Sequence, residues 1–281
     1  MNDIDLVKSE GLFKGKALKT LYPFLLALLL LAAIPEFSHA AEPGKYDVLA
    51  KTVMPFANVF ARKTKDPNRA LSIALRIEEM TGLPPSMIGM RGSLDVEFPD
   101  KVRLRAPVMG QDLTICRNGQ QVWVYPGSKV APLLEAANAS GKLPPPDPKY
   151  QLTPFHLPVS EKELVFLPAL FQVRDAGKQL VDETPCRVLN LQLMSQLGRA
   201  LGVREWSAQA WITANNLPAR LVLLHPGWEV SIRCDSVKFA PSLPASTWTP
   251  TVEQAKDVIN VPASQYQQLL KLLANVKGKE G

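Results

Sequence analysis

The sequence predicts an α+β fold: an antiparallel sheet with one apolar and one wet face, packed against amphipathic helices. Three observations carry this. From residue 92 the side chains alternate with period two, apolar against charged, as in a half-buried antiparallel strand. Asn118-Gly119 and Pro226-Gly227 each separate two such runs, where two-residue hairpin turns belong. Other stretches show helical spacing bounded by stop or start signals. At 281 residues, 46% hydrophobic and 21% charged, the chain can bury a full core and is neither disordered nor a coiled coil.

The elements follow in order. Lys14, Lys16 and Lys19 precede an apolar run over 21–34, which Pro35 and Glu36 break, and Ser38-His39-Ala40 offers small residues at a cleavage site. That order is a secretory signal. Fourteen apolar residues are short for a span, which needs roughly 20. Cleavage is expected after Ala40, with an uncleaved anchor as the alternative, which divides the chain into a leader over 1–40 and one domain over 41–281. Four leader lysines (Lys8 and the three above) balance Asp3, Asp5, Glu10 and Glu36, so the net charge of +6 belongs to the remainder.

Residues 43–66 give no clear pattern. Over 68–80, Leu71, Ala74, Leu75 and Glu78 fall at helical spacing, ended by Thr81-Gly82, and predict an amphipathic helix. Leu94 and Val96 then alternate with Asp95 and Glu97, and Val102, Leu104 and Ala106 with Lys101, Arg103 and Arg105. With Asn118-Gly119 as a type I′ loop, Ile115 would face Val122 and Leu113 would face Val124, giving an aliphatic side. A short helix is expected over 132–139. Residues 143–158 hold six prolines and predict an irregular loop or hinged flap. Ser160 to Glu163 is a capping box that opens a helix to about 171. Strands are expected over 171–181, 187–193, 206–213, 217–224 and 228–239, the Pro226-Gly227 turn pairing Leu223 with Val230 and Leu221 with Ile232. A last helix spans 264–275.

The chemistry-bearing residues are few. His156 and His225 are the only histidines after the leader, and HExxH, GxSxG, Walker A and GxGxxG are all absent from the sequence. No cofactor and no metal is expected, and the chain reads as a non-enzyme, with an exported hydrolase built on a spatial triad as the remote alternative. Cys116, Cys186 and Cys234 either pack as buried thiols or form one bridge with one left over. The positive charge is too dilute for nucleic acid, and leaves weak attraction to anionic membrane surfaces open.

Motifs add a resemblance. Gly92, Leu94, Val96 and Pro99 fill a G-x-L-x-V-x-x-P pattern. Asn118, Gly119, Val122, Trp123 and Tyr125 fill (D/N)-G-x-x-(hydrophobic)-W-x-Y of the pattern (D/N)-G-x-x-(hydrophobic)-W-x-Y-x-P, with Pro126 one place earlier than the pattern has it. Leu217-Pro218-Ala219-Arg220-Leu221 follows as LP-x-R-L, and Val237-Lys238-Phe239 to Trp248-Thr249-Pro250 closes the series. In this order and over about residues 68–252 the sequence resembles the LolA/LolB family of periplasmic lipoprotein carriers. The resemblance implies a half-open antiparallel β-barrel with a helical lid over an apolar cavity that takes acyl chains.

The expected function is therefore a non-catalytic periplasmic carrier of lipid or lipoprotein acyl chains, with an envelope protein as a further possible partner. Its expected cavity lining is Leu94, Val96, Val102, Leu104, Leu113, Ile115, Val122, Val124, Leu221, Leu223, Val230 and Ile232, under a lid of helices 68–80 and 160–171. The alternative is an envelope sensor or interaction module whose core fills itself.

Overall fold

Among the described residues eleven antiparallel strands form one sheet, whose two outer strands do not pair with each other. The computed structural model describes residues 44–61, 64–83, 85–108, 111–155, 170–194 and 206–275. The proposed leader, His156 and nearly all of the helix expected at 160–171 lie outside them. The strands are β1 (Ala70–Thr81), β2 (Arg91–Glu97), β3 (Lys101–Val108), β4 (Gln111–Asn118), β5 (Gln121–Tyr125), β6 (Phe171–Val181), β7 (Thr184–Leu193), β8 (Ser207–Thr213), β9 (Pro218–His225), β10 (Trp228–Ala240) and β11 (Ile259–Asn260). Their order across the sheet is β11-β5-β4-β3-β2-β1-β10-β9-β8-β7-β6. Each strand pairs antiparallel with its neighbours, so two meanders meet along β1 and β10. Among the described residues three α-helices lie on the sheet: α1 (Lys45–Phe60), α2 (Gly127–Ala139) and α3 (Tyr266–Asn275).

The segment expected to form a helix over 68–80 is the central strand β1. Its sequence satisfies both periods, because Leu71, Ile73, Leu75 and Ile77 also alternate. The β-branched isoleucines fit the pleat, and pairing on both sides fixes the choice, Leu71 facing Val96 and Phe239, Ile77 facing Ile232. The helix is instead α1, in the stretch that showed no pattern. Val48, Leu49, Val53, Phe56 and Val59 form its buried stripe. Thr52 enters the same stripe without cost to polar balance, since its hydroxyl donates to the Val48 carbonyl at 2.9 Å. Neither end carries a side-chain cap from within the helix. Arg69 supplies the missing partner, donating to the carbonyls of Asn58 (3.1 Å) and Ala61 (2.7 Å). A cation there also opposes the negative end of the helix dipole.

The two hairpins behave differently. At Pro226-Gly227 the predicted register holds, with Leu223 opposite Val230 and Leu221 opposite Ile232. At the other hairpin the loop is Gly119-Gln120, so Ile115 faces Val124, and Arg117 faces Val122. Gly119 has φ +64° while Gln120 is not left-handed, which fits a II′ turn with glycine first. The slip is two residues, so Leu113, Ile115, Val122 and Val124 keep a common face. Helix α2 starts at Gly127, five residues before the expected start, and the last helix α3 follows a short 3-10 turn at Ala263–Gln265.

Burial divides the apolar side into two clusters. The larger joins α1 to β1, β2 and β6–β10. The smaller joins β4 and β5 to α2, α3, Leu143 and Leu152. All three cysteines are free, and each lies in a different cluster: Cys234 in the large one, Cys186 with Val188 and Trp211, Cys116 with Trp123 and Trp248. In β6 the register shifts between Asp175 and Lys178, with Gly177 at φ +85°.

Candidate functional site

The register places all twelve expected lining residues on one continuous face. Leu94 lies opposite Ile73 and Leu104; Leu104 opposite Ile115; Ile115 opposite Val124. On the other side of β1, Ile77 lies opposite Ile232, and Ile232 opposite Leu221. Alternation alone makes these assignments, because residues two apart along a strand share a face.

Packing does not treat the twelve alike. Val96, Leu221, Leu223, Val230 and Ile232 are buried in the large cluster, against α1. Leu113, Ile115, Val122 and Val124 are buried in the small cluster, beneath α2 and α3. Leu94 and Val102 are half-buried at the margin of the large cluster, and half-buried Leu104 belongs to neither. A seam therefore runs along β2 and β3 between the two helix-covered halves. Of the two helices expected as a lid, residues 68–80 form strand β1 and 160–171 lie almost wholly outside the described residues; α1, α2 and α3 cover the two flanking halves.

The sequence reading missed two contributors to this face. One is β1 itself, whose Leu71, Ile73 and Ile77 are buried in it. The other is Arg117, which shares the parity of Leu113 and Ile115 and is only 3% exposed. Alternation along β4 would have placed its guanidinium inward. Its Nε donates to the Gly119 carbonyl (2.9 Å), and Nη2 donates to the carbonyls of Leu152 (3.3 Å) and Thr153 (2.9 Å). The ring of Phe155 lies 4.4 Å from the guanidinium carbon. Burial lowers the Arg117 pKa, opposed by Tyr266, Asp100 and Tyr150. Burial also pushes the Tyr266 phenol up to about 12, against the pull of Arg117.

The expected flap is thereby tied down over its described part. Gln120 exchanges two hydrogen bonds with the Leu152 backbone, at 2.7 and 3.1 Å. The Phe155 amide donates to the Pro99 carbonyl (2.7 Å). Gln265, 2% exposed, donates to the Pro144 carbonyl (2.8 Å) and the Asn138 side chain (2.9 Å). Proline removes amide donors from this stretch, so its carbonyls are satisfied by side chains from β4, the β4–β5 turn and the α3 end.

The opposite face of the sheet carries the charged side chains, beside two small buried clusters around Trp211 and around Trp123 with Trp248. Buried Asp95 accepts from Ser72 (2.6 Å) and from Arg103 (3.0 Å). Trp123 donates to the Trp248 carbonyl at 3.1 Å. Arg91, Arg76, Arg233 and Arg220 stand in one row across β2, β1, β10 and β9, answered by Glu78, Asp235 and Asp182. Among the described residues no group of three or more His, Cys, Asp or Glu side chains could hold a metal. The apolar face is thus the feature with the chemistry of a binding site.

No protein-family model and no curated protein matches the chain. Among solved structures, the lipoprotein LppX of Mycobacterium tuberculosis aligns over 73% of this chain and 99% of its own, at 11% identity and a TM-score of 0.39. MucB aligns over 71% of this chain, which spans 61% of MucB, at 13% identity and a TM-score of 0.37. A LolA-superfamily protein from Nitrosomonas europaea aligns over 72% and 96%, at 12% identity and a TM-score of 0.25. Overlays this loose carry no argument about cargo, and the fold rests on the strand order and register above. In its sequence motifs and in its open antiparallel sheet, the chain resembles LolA-like proteins.

Proposed function

We propose that this protein is a non-catalytic carrier of lipid or lipoprotein acyl chains, exported to the periplasm by its first forty residues and acting in lipid or lipoprotein transport. The observation that supports this reading most is the seam along β2 and β3. There Leu94, Val102 and Leu104 stay half-buried between the two buried clusters of the apolar face. An acyl chain laid along the seam would cover them. Burying a methylene is worth about 0.8 kcal/mol, so ten carbons would contribute roughly 8 kcal/mol before ordering costs. That corresponds to micromolar affinity, which suits a carrier that must let go.

A second reading has its own support. Helix α1 already fills the larger half, with Val53 and Phe56 fully buried, as in an envelope sensor or interaction module with a closed core. The two separate on Leu104→Glu. If the seam takes acyl chains, the variant folds normally and loses uptake of a fluorescent fatty acid. If the seam is closed core, the variant unfolds, because a carboxylate is buried unpaired. Protein purified without detergent should also yield lipid to mass spectrometry, and a lipid-free protein that takes up no fatty acid sinks the carrier reading.

A further inference from the structure

The seam along β2 and β3 has two unlike ends. At one, Arg117 of β4 stands opposite Val102 of β3, on the same inward face. Leu152 to Phe155 cross there, tied to Gln120 at the β4–β5 turn and to Pro99 at the β2–β3 turn. The seam therefore stops against a wall that holds a guanidinium. At the other end Gly92 neighbours Ala106: a Cβ on Gly92 would sit 4.0 Å from the Ala106 Cβ. Beside them Met87 and Met90 are half-buried against the large cluster.

The charge at the walled end is unbalanced. Arg117 is 3% exposed, and an arginine is rarely buried so far without an opposite charge. Its Nε and Nη2 donate to the carbonyls of Gly119, Leu152 and Thr153, while Nη1 has no hydrogen bond among the described residues. Carbonyl oxygens solvate a cation but do not neutralise it. Asp100 acts on Arg117, but from beyond ion-pair distance. The residues directly opposite on the two neighbouring strands, Val102 and Val122, are apolar.

We propose that the cargo is a free fatty acid, its carboxylate on Nη1 of Arg117 and its single chain along the seam toward Gly92 and Ala106. The inference rests on the carrier reading and narrows it, because ester- and amide-linked acyl chains bring no charge to that end. Charge complementarity selects the occupant. A carboxylate supplies the missing opposite charge in a charge-assisted hydrogen bond. A phosphate monoester would bring a second negative charge to one free donor, among carbonyl oxygens that repel it. Width selects one chain: the half-buried floor is two strands wide, and neighbouring strands lie about 4.8 Å apart.

Uptake of cis-parinaric acid by the full chain, compared with its uncharged methyl ester, tests this. The acid should bind about tenfold tighter, as one charge-assisted hydrogen bond allows. Arg117→Gln should bring that ratio near one, and Arg117→Lys should keep part of the preference. Arg91→Gln, at an exposed position on the opposite face, should leave the ratio unchanged. Carbon-13 resonances of carboxyl-labelled oleate bound to the wild type give a reading that needs no variant. The bound carboxyl should stay ionised to lower pH than an ordinary one, since a neighbouring cation favours the charged form. The proposal falls if the wild type binds acid and ester equally, if Arg117→Gln keeps the ratio, or if Arg91→Gln abolishes it. It falls equally if bound oleate titrates in or above the ordinary range, or if lysophosphatidic acid displaces parinaric acid better than oleate does. Equal uptake of acid and ester leaves the carrier reading standing; uptake of neither removes it.

Discussion

The two halves of the apolar face are closed by different physics. Around α1 the covering is aliphatic and aromatic: Val53, Phe56 and Val59 meet Leu71, Leu189, Ile212 and Leu223, all nearly inaccessible. Around α2 and α3 the apolar cluster is smaller, and directional bonds from Arg117, Gln120 and Gln265 fix what lies above it. Non-directional packing tolerates sliding and exchange of one apolar surface for another, whereas hydrogen bonds to named carbonyls hold one geometry. The half around α1 is therefore held by packing alone, and the other by fixed geometry.

The largest effect is expected where that contrast is sharpest. Phe56→Ala should cost about 3–5 kcal/mol, by lost transfer energy plus the cavity left behind, read as a lower denaturant midpoint at constant m-value. If the cavity extends the seam, the same variant should gain capacity for fatty acid; unchanged uptake would mean that the two spaces do not communicate. Arg117→Leu should cost less, about 2–3 kcal/mol, because hydrogen bonds to a charged group are lost and carbonyls are left buried. It should also speed proteolysis within 143–155 while leaving α1 protected in hydrogen exchange. Equal deprotection of both halves would erase the distinction drawn between them.

The smallest effect at neutral pH concerns three buried acids, Cys234 and Tyr266 in the two halves and Cys116 on the other face of the sheet. Burial raises the Cys234 and Cys116 thiols to about 12, the latter against Arg103, and the Tyr266 phenol to about 12. A folded-state pKa above the unfolded value means stability that is complete below the unfolded pKa and lost as pH rises through the folded one. The loss should therefore begin near pH 9 for the thiols, near 10 for Tyr266, and run to about 12. At pH 8 no thiol should react with a maleimide until the chain unfolds, and rapid native labelling of Cys234 would show that α1 opens.

Much of this was legible in the residues. Period-two alternation identified β2, β3, β9 and β10 and their faces, and the face assignment outlasted a two-residue error at Gly119 because parity was conserved. Residues 70–81 were misread since Leu71, Ala74 and Leu75 satisfy the helical period as well as the strand period. Only Ile73 and Ile77 and the partners on β2 and β10 distinguish them. Helix α1 escaped because it lacks capping side chains and carries Pro55 inside it. Its terminal partner, Arg69, comes from outside the helix. The inward guanidinium of Arg117 was readable by alternation, but not the carbonyls it would meet, which depend on how a proline-rich stretch crosses the hairpin.

An open sheet has two outer strands, and in many proteins such strands recruit a neighbour. At one side β11 is two residues long, too short to template anything. At the other, β6 bends at Gly177, where its register slips against β7. An incoming strand could follow β6 for only half its length before the spacing of amides and carbonyls failed. The kink lets the sheet remain open without its edge becoming the seed of a fibre.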